Sequence, residues 1–347
     1  MSNTKAVAEQ PASLVKQVLT GGSGTIWIAT IALLLISPLV APGSLAAAPV
    51  LGMLPFAAVL AIAAAGQTLV VQQRGLDLSV PGMMAFGAVL VTGLPQNMGW
   101  PLWAAVVAAI VGPGLVGVLN GVLVTRFGVM PLVVTLGMNA ILLGTVFAFS
   151  DGTPAGAAPG LSDFASGQSL GIPNALIIAV IVLVLSGFVT QRSIVGRKLT
   201  AVGVSECAAA VLGVRVNLYQ TQAYGCAGAA YGTAAVLYAG YVTTPPLFFG
   251  DSYLLPTVAA VVLGGTALTG GRASLIASGV AALFLTQLGQ LLRALGWTEP
   301  TQLVVQAGVL LAVVLLRVLV PSFARGVGQP QSTRPVPEAA EQESALR

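Results

Sequence analysis

The sequence predicts an all-α fold for a polytopic membrane protein with about ten transmembrane helices. The first observation is composition: 56% of the 347 residues are hydrophobic and only 7% are charged, whereas soluble domains carry about 25% charged residues. The second is the recurrence of long uncharged apolar stretches, since a membrane span needs about 20 mainly apolar residues. The third is that charged residues fall almost wholly between these stretches. Such a chain has too few charges to cover a water-facing surface.

Ten apolar stretches define the candidate spans, and among them only the last contains a charge, Arg317. Two of them, 79–96 and 253–270, are short or rich in glycine, so broken or re-entrant helices are alternatives there. Together the spans predict one transmembrane domain over residues 25–320, preceded by a cytoplasmic segment, 1–24. Residues 321–347 carry scattered charges and several prolines, which predicts a disordered cytoplasmic tail. The candidate spans are roughly 25–41, 49–71, 79–96, 101–125, 129–149, 174–190, 216–241, 253–270, 273–292 and 300–319.

The distribution of charge predicts that both termini are cytoplasmic. With ten spans and a cytoplasmic start, Arg293 alone among the 14 lysines and arginines falls on the outer side. Four acids, Asp151, Asp163, Asp251 and Glu299, also fall outside. An excess of lysine and arginine on the cytoplasmic side is the usual pattern of membrane proteins.

Several chemistries are excluded by the residues that are missing. The chain has no histidine and only two cysteines, Cys207 and Cys226, so zinc sites and histidine-based nucleophilic catalysis have no residues to use. The run GGTALTGGR, Gly264 to Arg272, has Gly271 where a phosphate-binding loop needs lysine. Its glycines predict tight packing or a sharp turn. The chain is therefore expected to bind no cofactor and to hydrolyse no ATP itself, and its scattered basic residues predict no nucleic-acid surface.

The longest charged interval, 191–215, predicts a basic segment followed by a short helix at the membrane surface. Ser205 is a suitable N-cap, and Glu206 follows at the first helical position, where a carboxylate favours the helix dipole. Gly213 suits the left-handed residue after the last turn. Two interpretations stay open: a loop that only fixes topology, and a docking element for a cytoplasmic partner. The basic residues of the interval are Arg192, Arg197, Lys198 and Arg215.

Apart from Arg317 near the end of the last span, the polar residues within the predicted spans are uncharged, and no Asp, Glu, Lys or Arg lies near the middle of a span. This argues against a carrier driven by protons or sodium, which usually has intramembrane acids. Neutral amides and hydroxyls suit a pathway for a neutral hydrophilic solute, but each of them is also explained by a hydrogen bond to a neighbouring helix. They are Gln67, Asn120, Asn139, Gln222, Thr257, Gln287 and Gln290.

Three further features allow specific expectations. Gly117-x-x-x-Gly121 and Gly228-x-x-x-Gly232 are small-residue patterns that favour close helix contact. The outer loop 150–173 is long and rich in Gly, Pro and Ser. It is interpreted either as a lid or docking surface or as a plain connector.

Four stretches resemble the permease subunits of bacterial ABC importers for simple sugars, the ribose/xylose/autoinducer type. The stretch QQRGLDLSV (Gln72 to Val80) is similar to the family's glycine-aspartate-leucine-serine segment, and LNGVLVTRFGVMPLVVTLGMNAILLG (Leu119 to Gly144) is similar to its Asn-Gly, proline and Thr-Leu-Gly pattern. The stretch AVGVSECAAAVLGV (Ala201 to Val214) is similar to its Glu-x-Ala-Ala and Leu-Gly segment, which branched-chain amino-acid permeases share. The stretch AAVVLGGTALTGGR (Ala259 to Arg272) is similar to its distinctive glycine run.

The resemblance extends over about residues 50–320, with two departures. Gln73-Arg74 stands where the sugar type usually has a glycine before Gly-x-Asp, and Pro81-Gly82-Met83-Met84 resembles nucleoside permeases. Import of nucleosides or branched-chain amino acids by the same architecture therefore remains an alternative. The amino-acid type would lack the Asp-Leu-Ser segment at 77–79. A membrane enzyme or assembly scaffold is the other class, but an enzyme would need an intramembrane acid, base or metal set.

The resemblance implies a multi-pass permease of the bacterial inner membrane that forms a pathway for a small neutral sugar. The implied partners are ABC ATPase subunits that bind ATP and Mg²⁺, a second permease copy in a homodimer or heterodimer, and a solute-binding protein. The segment 199–213 would then be the coupling helix in a cleft of the ATPase. Its implied coupling residues are Ser205, Glu206, Ala208, Ala209, Leu212 and Gly213. The implied pathway or packing residues are Asp77, Ser79, Asn120, Thr135, Asn139, Gly264, Gly265, Thr266, Gly270 and Gly271.

Overall fold

A computed structural model describes residues 24–326 and shows an almost entirely helical chain. Within these residues the strand structure is one short antiparallel hairpin, formed by the two-residue strands β1 (Gln168–Ser169) and β2 (Ile172–Pro173). The helices are α1 (Gly24–Val40), α2 (Ala47–Gln72), α3 (Val80–Met98), α4 (Leu102–Phe127), α5 (Pro131–Ser150), α6 (Pro159–Ser166), α7 (Asn174–Arg192), α8 (Ile194–Val204), α9 (Glu206–Val211), α10 (Val216–Val242), α11 (Asp251–Leu263), α12 (Leu275–Ala294) and α13 (Glu299–Gly326).

The helices confirm the all-α membrane class, because each predicted span overlaps one of them. Within residues 24–326, five helices, α2, α4, α5, α7 and α12, are long and apolar enough to cross a membrane. Shorter apolar helices are α1, α11 and the part Pro300–Ala312 of α13. The number of crossings and the side of each terminus stay predictions.

Helix α11 is the short helix that the glycine-rich stretch 253–270 indicated. It has 13 residues, which at 1.5 Å per residue gives about 20 Å, well below the roughly 30 Å of a hydrocarbon core. The chain after Leu263 runs through turns until α12 begins at Leu275. By contrast, α3 is a continuous helix through the other doubtful stretch, 79–96.

The two small-residue patterns meet at one helix–helix contact, between α4 and α10. A Cβ at Gly117 would overlap the carbonyl oxygen of Tyr224, and one at Gly228 would overlap that of Pro113. Such close backbone contact is possible only without side chains, so the patterns predicted this packing correctly. On its other side α10 packs against α2, which runs through the middle of the core.

Most of the neutral polar residues at membrane depth bond a neighbouring element. Tyr231 Oη donates to Gln67 Oε1 at 2.7 Å, and Gln287 Nε2 donates to Ser37 Oγ at 3.1 Å. Gln290 Nε2 donates to the Ser44 carbonyl at 2.9 Å. Asn120 and Asn139 also have partners, described below, whereas Thr257 bonds within its own helix and Gln222 is exposed. Hydrogen bonds to neighbouring elements therefore explain most of these polar residues.

The segment 150–173, which the charge distribution predicts to lie outside, has its own structure and packs on the core. Leu161 and Ala165 of helix α6 are buried, and both contact Gly240 of α10 so closely that a Cβ there would clash. At the C-terminal side, α13 continues to Gly326, so the predicted start of the tail at residue 321 falls inside a helix. The predictions for residues 1–23 and 327–347 lie outside the described residues.

Candidate functional site

Helix α9 has the caps that the sequence predicted. The Ser205 hydroxyl accepts a hydrogen bond from the backbone N–H of Ala208 at 3.3 Å. Glu206 lies in the first turn, and Gly213 has a φ of +77°, in the left-handed region that favours glycine. Glu206 Oε1 also accepts from Gln220 Nε2 of α10 at 2.9 Å. The segment is therefore a fixed short helix with defined ends.

The expectation of one helix over 199–213 is wrong, because Ser205 interrupts it. Ser205 is extended, with φ −160° and ψ 112°, and separates α8 from α9. Its N–H donates to the Ala201 carbonyl at 3.1 Å, and its carbonyl accepts from the Ala209 N–H at 3.0 Å. One residue thus ends α8 and begins α9, since its side chain also supplies the N-cap. The basic segment before it is largely helical as well.

Helix α9 exposes its aliphatic side chains. Val211 is 88% exposed and Leu212 is 78% exposed, whereas Ala209 is buried against the protein. Val204, just before the break, and Ala208 are exposed too. Two adjacent, nearly fully exposed aliphatic residues beside a charged segment form a small apolar surface that a partner can cover.

The loop 73–79, between α2 and α3, anchors the end of α8. Arg74 donates from Nε to the Gly203 carbonyl at 3.0 Å and from Nη2 to the Val204 carbonyl. Gln73 Nε2 donates to the Leu199 carbonyl at 3.1 Å. The two Arg74 bonds satisfy carbonyls that the helix itself leaves free at its C-terminus. They also fix the chain at the residue before Ser205, so the loop sets the position of α9.

The glycine loop, residues 264–271, closes against the same anchor. The Gly271 N–H donates to the Gln72 carbonyl at 3.0 Å. A Cβ at Gly203 would overlap that same Gln72 oxygen. Gly270 and Gly271 have φ values of +83° and +93°, which residues other than glycine adopt only at an energetic cost. The glycine loop, the end of α2 and α8 therefore meet backbone to backbone.

The first part of the glycine loop is a turn packed under α12. Gly264 lies against the backbone of Ser278, where a Cβ would clash at 2.7 Å. Gly265 has a φ of +93°, and Thr266 is buried. Gly264, Gly265 and Thr266 thus occupy the predicted loop, and their visible role is close packing.

Asp77 is the centre of a buried polar cluster with Ser79 and Asn120. The Ser79 N–H and hydroxyl both donate to Asp77 Oδ1, the former at 2.9 Å. Asn120 Nδ2 donates to Ser79 Oγ at 3.0 Å. All three residues are fully buried. Burial raises the pKa of the Asp77 carboxyl to about 6, although the two Ser79 hydrogen bonds act in the opposite direction.

The cluster keeps unused hydrogen-bonding capacity. Asp77 Oδ2, Asn120 Oδ1 and the Tyr224 hydroxyl are buried and have no hydrogen-bond partner within residues 24–326. The Tyr224 hydroxyl lies against Gly75, where a Cβ would overlap it. Buried polar groups are usually paired, so this cluster has more polar capacity than packing alone requires.

Thr135 and Asn139 join α5 to the same region. Thr135 Oγ1 donates to the Pro131 carbonyl at 2.9 Å and lies 3.4 Å from the Leu76 carbonyl. Asn139 Oδ1 accepts from the Gly82 N–H at 2.7 Å. The structure therefore brings Asp77, Ser79, Asn120, Thr135 and Asn139 together around the start of α3.

The residues that connect these motifs were missed by sequence reasoning. Arg74 was noted only as a departure from a glycine, yet it keeps the left-handed backbone of that position, with φ +65°. Gly203 and Tyr224 carried no signal in the sequence. Their contacts join positions more than 100 residues apart, as in the Arg74–Gly203 bond with its separation of 129.

Comparison with known proteins then fixes the family. Residues 49–314 match the family described as branched-chain amino acid transport system / permease component. The chain belongs to this permease family. It is accordingly a multi-pass protein of the bacterial inner membrane, in agreement with its apolar helices.

The relatives found are import permeases. The chain is 31% identical over 287 residues to the ribose import permease protein of Bacillus subtilis, covering 82% of this chain and 89% of that protein. It is 32% identical over 262 residues to the fructose import permease protein of Bifidobacterium longum, covering 72% of each. It is 30% identical over 257 residues to the autoinducer 2 import system permease protein of Salmonella typhi, covering 72% of this chain and 77% of that protein. No solved structure matches the chain.

Proposed function

We propose that this chain is the transmembrane permease subunit of an ATP-driven importer for a small neutral sugar. A periplasmic or extracellular binding protein delivers the sugar, separate ATPase subunits hydrolyse ATP, and a second permease copy, identical or different, completes the pathway. The names of the ribose, fructose and autoinducer 2 relatives support a sugar-like solute. The lack of a lysine-bearing phosphate loop supports a separate ATPase.

Helix α9 carries the proposal of an ATPase partner. Its ends are capped by Ser205 and Gly213, and it presents exposed Val211 and Leu212. A helix of six residues is far below the length that is stable alone in water, so contacts on both of its sides must hold it. Within the chain, α8 and α10 supply one side, the latter through the Gln220–Glu206 hydrogen bond, and the ATPase supplies the other.

A branched-chain amino acid is the second candidate solute, because the family description names that transport system. The Asp-Leu-Ser segment at 77–79 favours the sugar, as does the absence of ionisable residues near the middle of the spans. A nucleoside is a further alternative, because the run Pro81 to Met84 resembles nucleoside permeases.

Uptake in cells that express the complete system tests the solute. We expect labelled D-ribose or D-fructose to enter, unlabelled monosaccharides to compete, and L-leucine to have no effect. Strong competition by L-leucine with no sugar uptake would contradict the sugar proposal. A chain with α9 deleted, present in the membrane at normal level, is the matched inactive control.

A further inference from the structure

A cavity of about 800 Å³ lies where α2, α10, α11, α12 and α13 come together. Its lining comes from the first turns of α2, α11 and α13 and the last turns of α10 and α12. In the predicted topology these are the outer ends of all five helices. The cavity is therefore at the face where a binding protein would release its solute.

One side of the cavity is an ordered aromatic wall. Phe56, Tyr238 and Tyr253 line it. Tyr238 stacks on Phe249 with ring centroids 4.0 Å apart and meets Tyr253 edge-on at 5.8 Å. Such mutual packing holds the rings in place before any ligand arrives. A flat apolar ring face suits the C–H face of a small cyclic solute.

The other side is a gap above Gly289 in which three polar groups converge. From the point that a Cβ on Gly289 would occupy, Gln306 Nε2 is 3.3 Å away, Arg293 Nη1 3.9 Å and Gln302 Oε1 4.0 Å. Gln302 Nε2 donates to the Trp297 carbonyl at 2.9 Å, which orients its oxygen as an acceptor. The gap thus offers two donors and one acceptor around a space of one small group.

A hydroxyl matches this gap because it donates one hydrogen bond and accepts others. It can donate to Gln302 Oε1 while it accepts from Gln306 Nε2 and Arg293 Nη1, and the bond from the guanidinium is the stronger kind. A bare hydrophobic ligand would leave all three groups unpaired, at a cost in affinity.

Resting on the proposed function, we propose that this outer cavity is the site where the permease receives its solute, and that it selects a polyol. A sugar ring face packs on the aromatic wall, and a sugar hydroxyl fills the gap above Gly289. Asp251 is also in the lining and exposed, and its carboxylate adds a further acceptor. One carboxylate and one guanidinium also match an amino-acid zwitterion, so leucine is a necessary arm of the test.

Kinetics of uptake in the complete system test the cavity. Gly289→Ala places a methyl group in the gap, and Gln306→Leu removes a donor at similar size. For each, we expect uptake of D-ribose or D-fructose at limiting concentration to fall on the order of tenfold, the effect of one lost hydrogen bond. Gly308→Ala is the matched control, because it lies on α13 with nothing within 4 Å of its Cβ, and it should transport normally.

The outcomes separate the two proposals. If wild type takes up a sugar and both variants match it, the cavity inference is overturned while the sugar importer stands. If wild type takes up no sugar but takes up L-leucine, the proposed function fails and the polyol inference fails with it.

A labelling experiment guards against misfolding of the variants. In a Cys207→Ser, Cys226→Ser background, Gln306→Cys should react with an impermeant thiol reagent from outside, and D-ribose or D-fructose should slow that reaction severalfold. No external reaction, or no slowing by a sugar that the same cells take up, overturns the inference.

Discussion

Arg74 is the residue whose role depends most on three-dimensional structure. It stands at a left-handed backbone position and donates to two carbonyls at the end of α8. Glycine would relieve the backbone but give up both bonds, so the two effects oppose each other. Arg74 is exposed, which limits the contribution of these hydrogen bonds to stability to about 1 kcal/mol.

We predict that Arg74→Gly leaves the permease in the membrane at near-normal level but weakens its binding to the ATPase. The reason is that the last turn of α8, and with it α9, loses its lateral attachment. Copurification of the ATPase with tagged permease measures the effect. Arg74→Lys keeps the charge without the planar fork that reaches two carbonyls, so it should give an intermediate result. Unchanged copurification in Arg74→Gly would remove Arg74 from the coupling model.

Gly203 provides a second residue-scale prediction, on stability. A Cβ there would overlap the Gln72 carbonyl, which is backbone and itself bonded to Gly271. Gly203→Ala should therefore destabilise by about 1–3 kcal/mol, the cost of overpacking. Thermal unfolding in detergent measures this as a lower melting temperature. Gly137→Ala in α5, with open space around its Cβ, is the control and should unfold at or slightly above the wild-type temperature.

At the scale of elements, the sequence was most informative where the determinants are local. The Ser205 cap and the Gly213 stop depend on neighbouring residues, and both were predictable. The position of α9 was not, because it depends on Arg74 and Gln73 across more than 120 residues. The break at Ser205 was missed for a related reason. A serine suits the N-cap of α9 in the sequence, but only the structure shows a helix ending at it.

The caps of α9 allow a prediction about this element. Ser205→Ala should cost about 1 kcal/mol, and Gly213→Val forces a β-branched residue to φ +77°, which is strained. Neither change alters the hydrophobicity of the spans, so both variants should reach the membrane. We expect Gly213→Val to lose copurifying ATPase and uptake, and Ser205→Ala to lose them partly.

The double variant Gly213→Val, Glu206→Lys is the stricter test. The lysine also removes the acceptor of the Gln220 bond that ties α9 to α10. Retention of both the ATPase and transport would mean that residues 191–215 are only a topological loop. A substitution at another left-handed glycine, Gly99→Val in the loop after α3 that is predicted to lie outside, controls for backbone strain in general, and the ATPase should still copurify with it.

At the scale of the whole molecule, the described helices differ in how deeply they are packed. More than half of the most apolar segment of α2 and of α12 is buried within the chain, whereas α4, α5 and α7 bury less than a third of theirs. The exposed faces of the latter are rich in large apolar residues, such as Trp103, Leu115 and Phe188. In water such surfaces would aggregate, so they face lipid or another membrane subunit.

The last prediction is the topology itself, which the charge distribution predicts and which the coupling and cavity proposals both need. Cys207 lies exposed in α9, and Leu170 is fully exposed at the turn of the β1–β2 hairpin. With Cys226→Ser, native Cys207 should react with an impermeant thiol reagent only after the cells are permeabilised. Leu170→Cys in a background without the native cysteines should react in intact cells, because the positive-inside pattern places the hairpin outside. Reaction of Cys207 in intact cells would invert the orientation, and then α9 would not meet a cytoplasmic ATPase and the cavity would open to the cytoplasm.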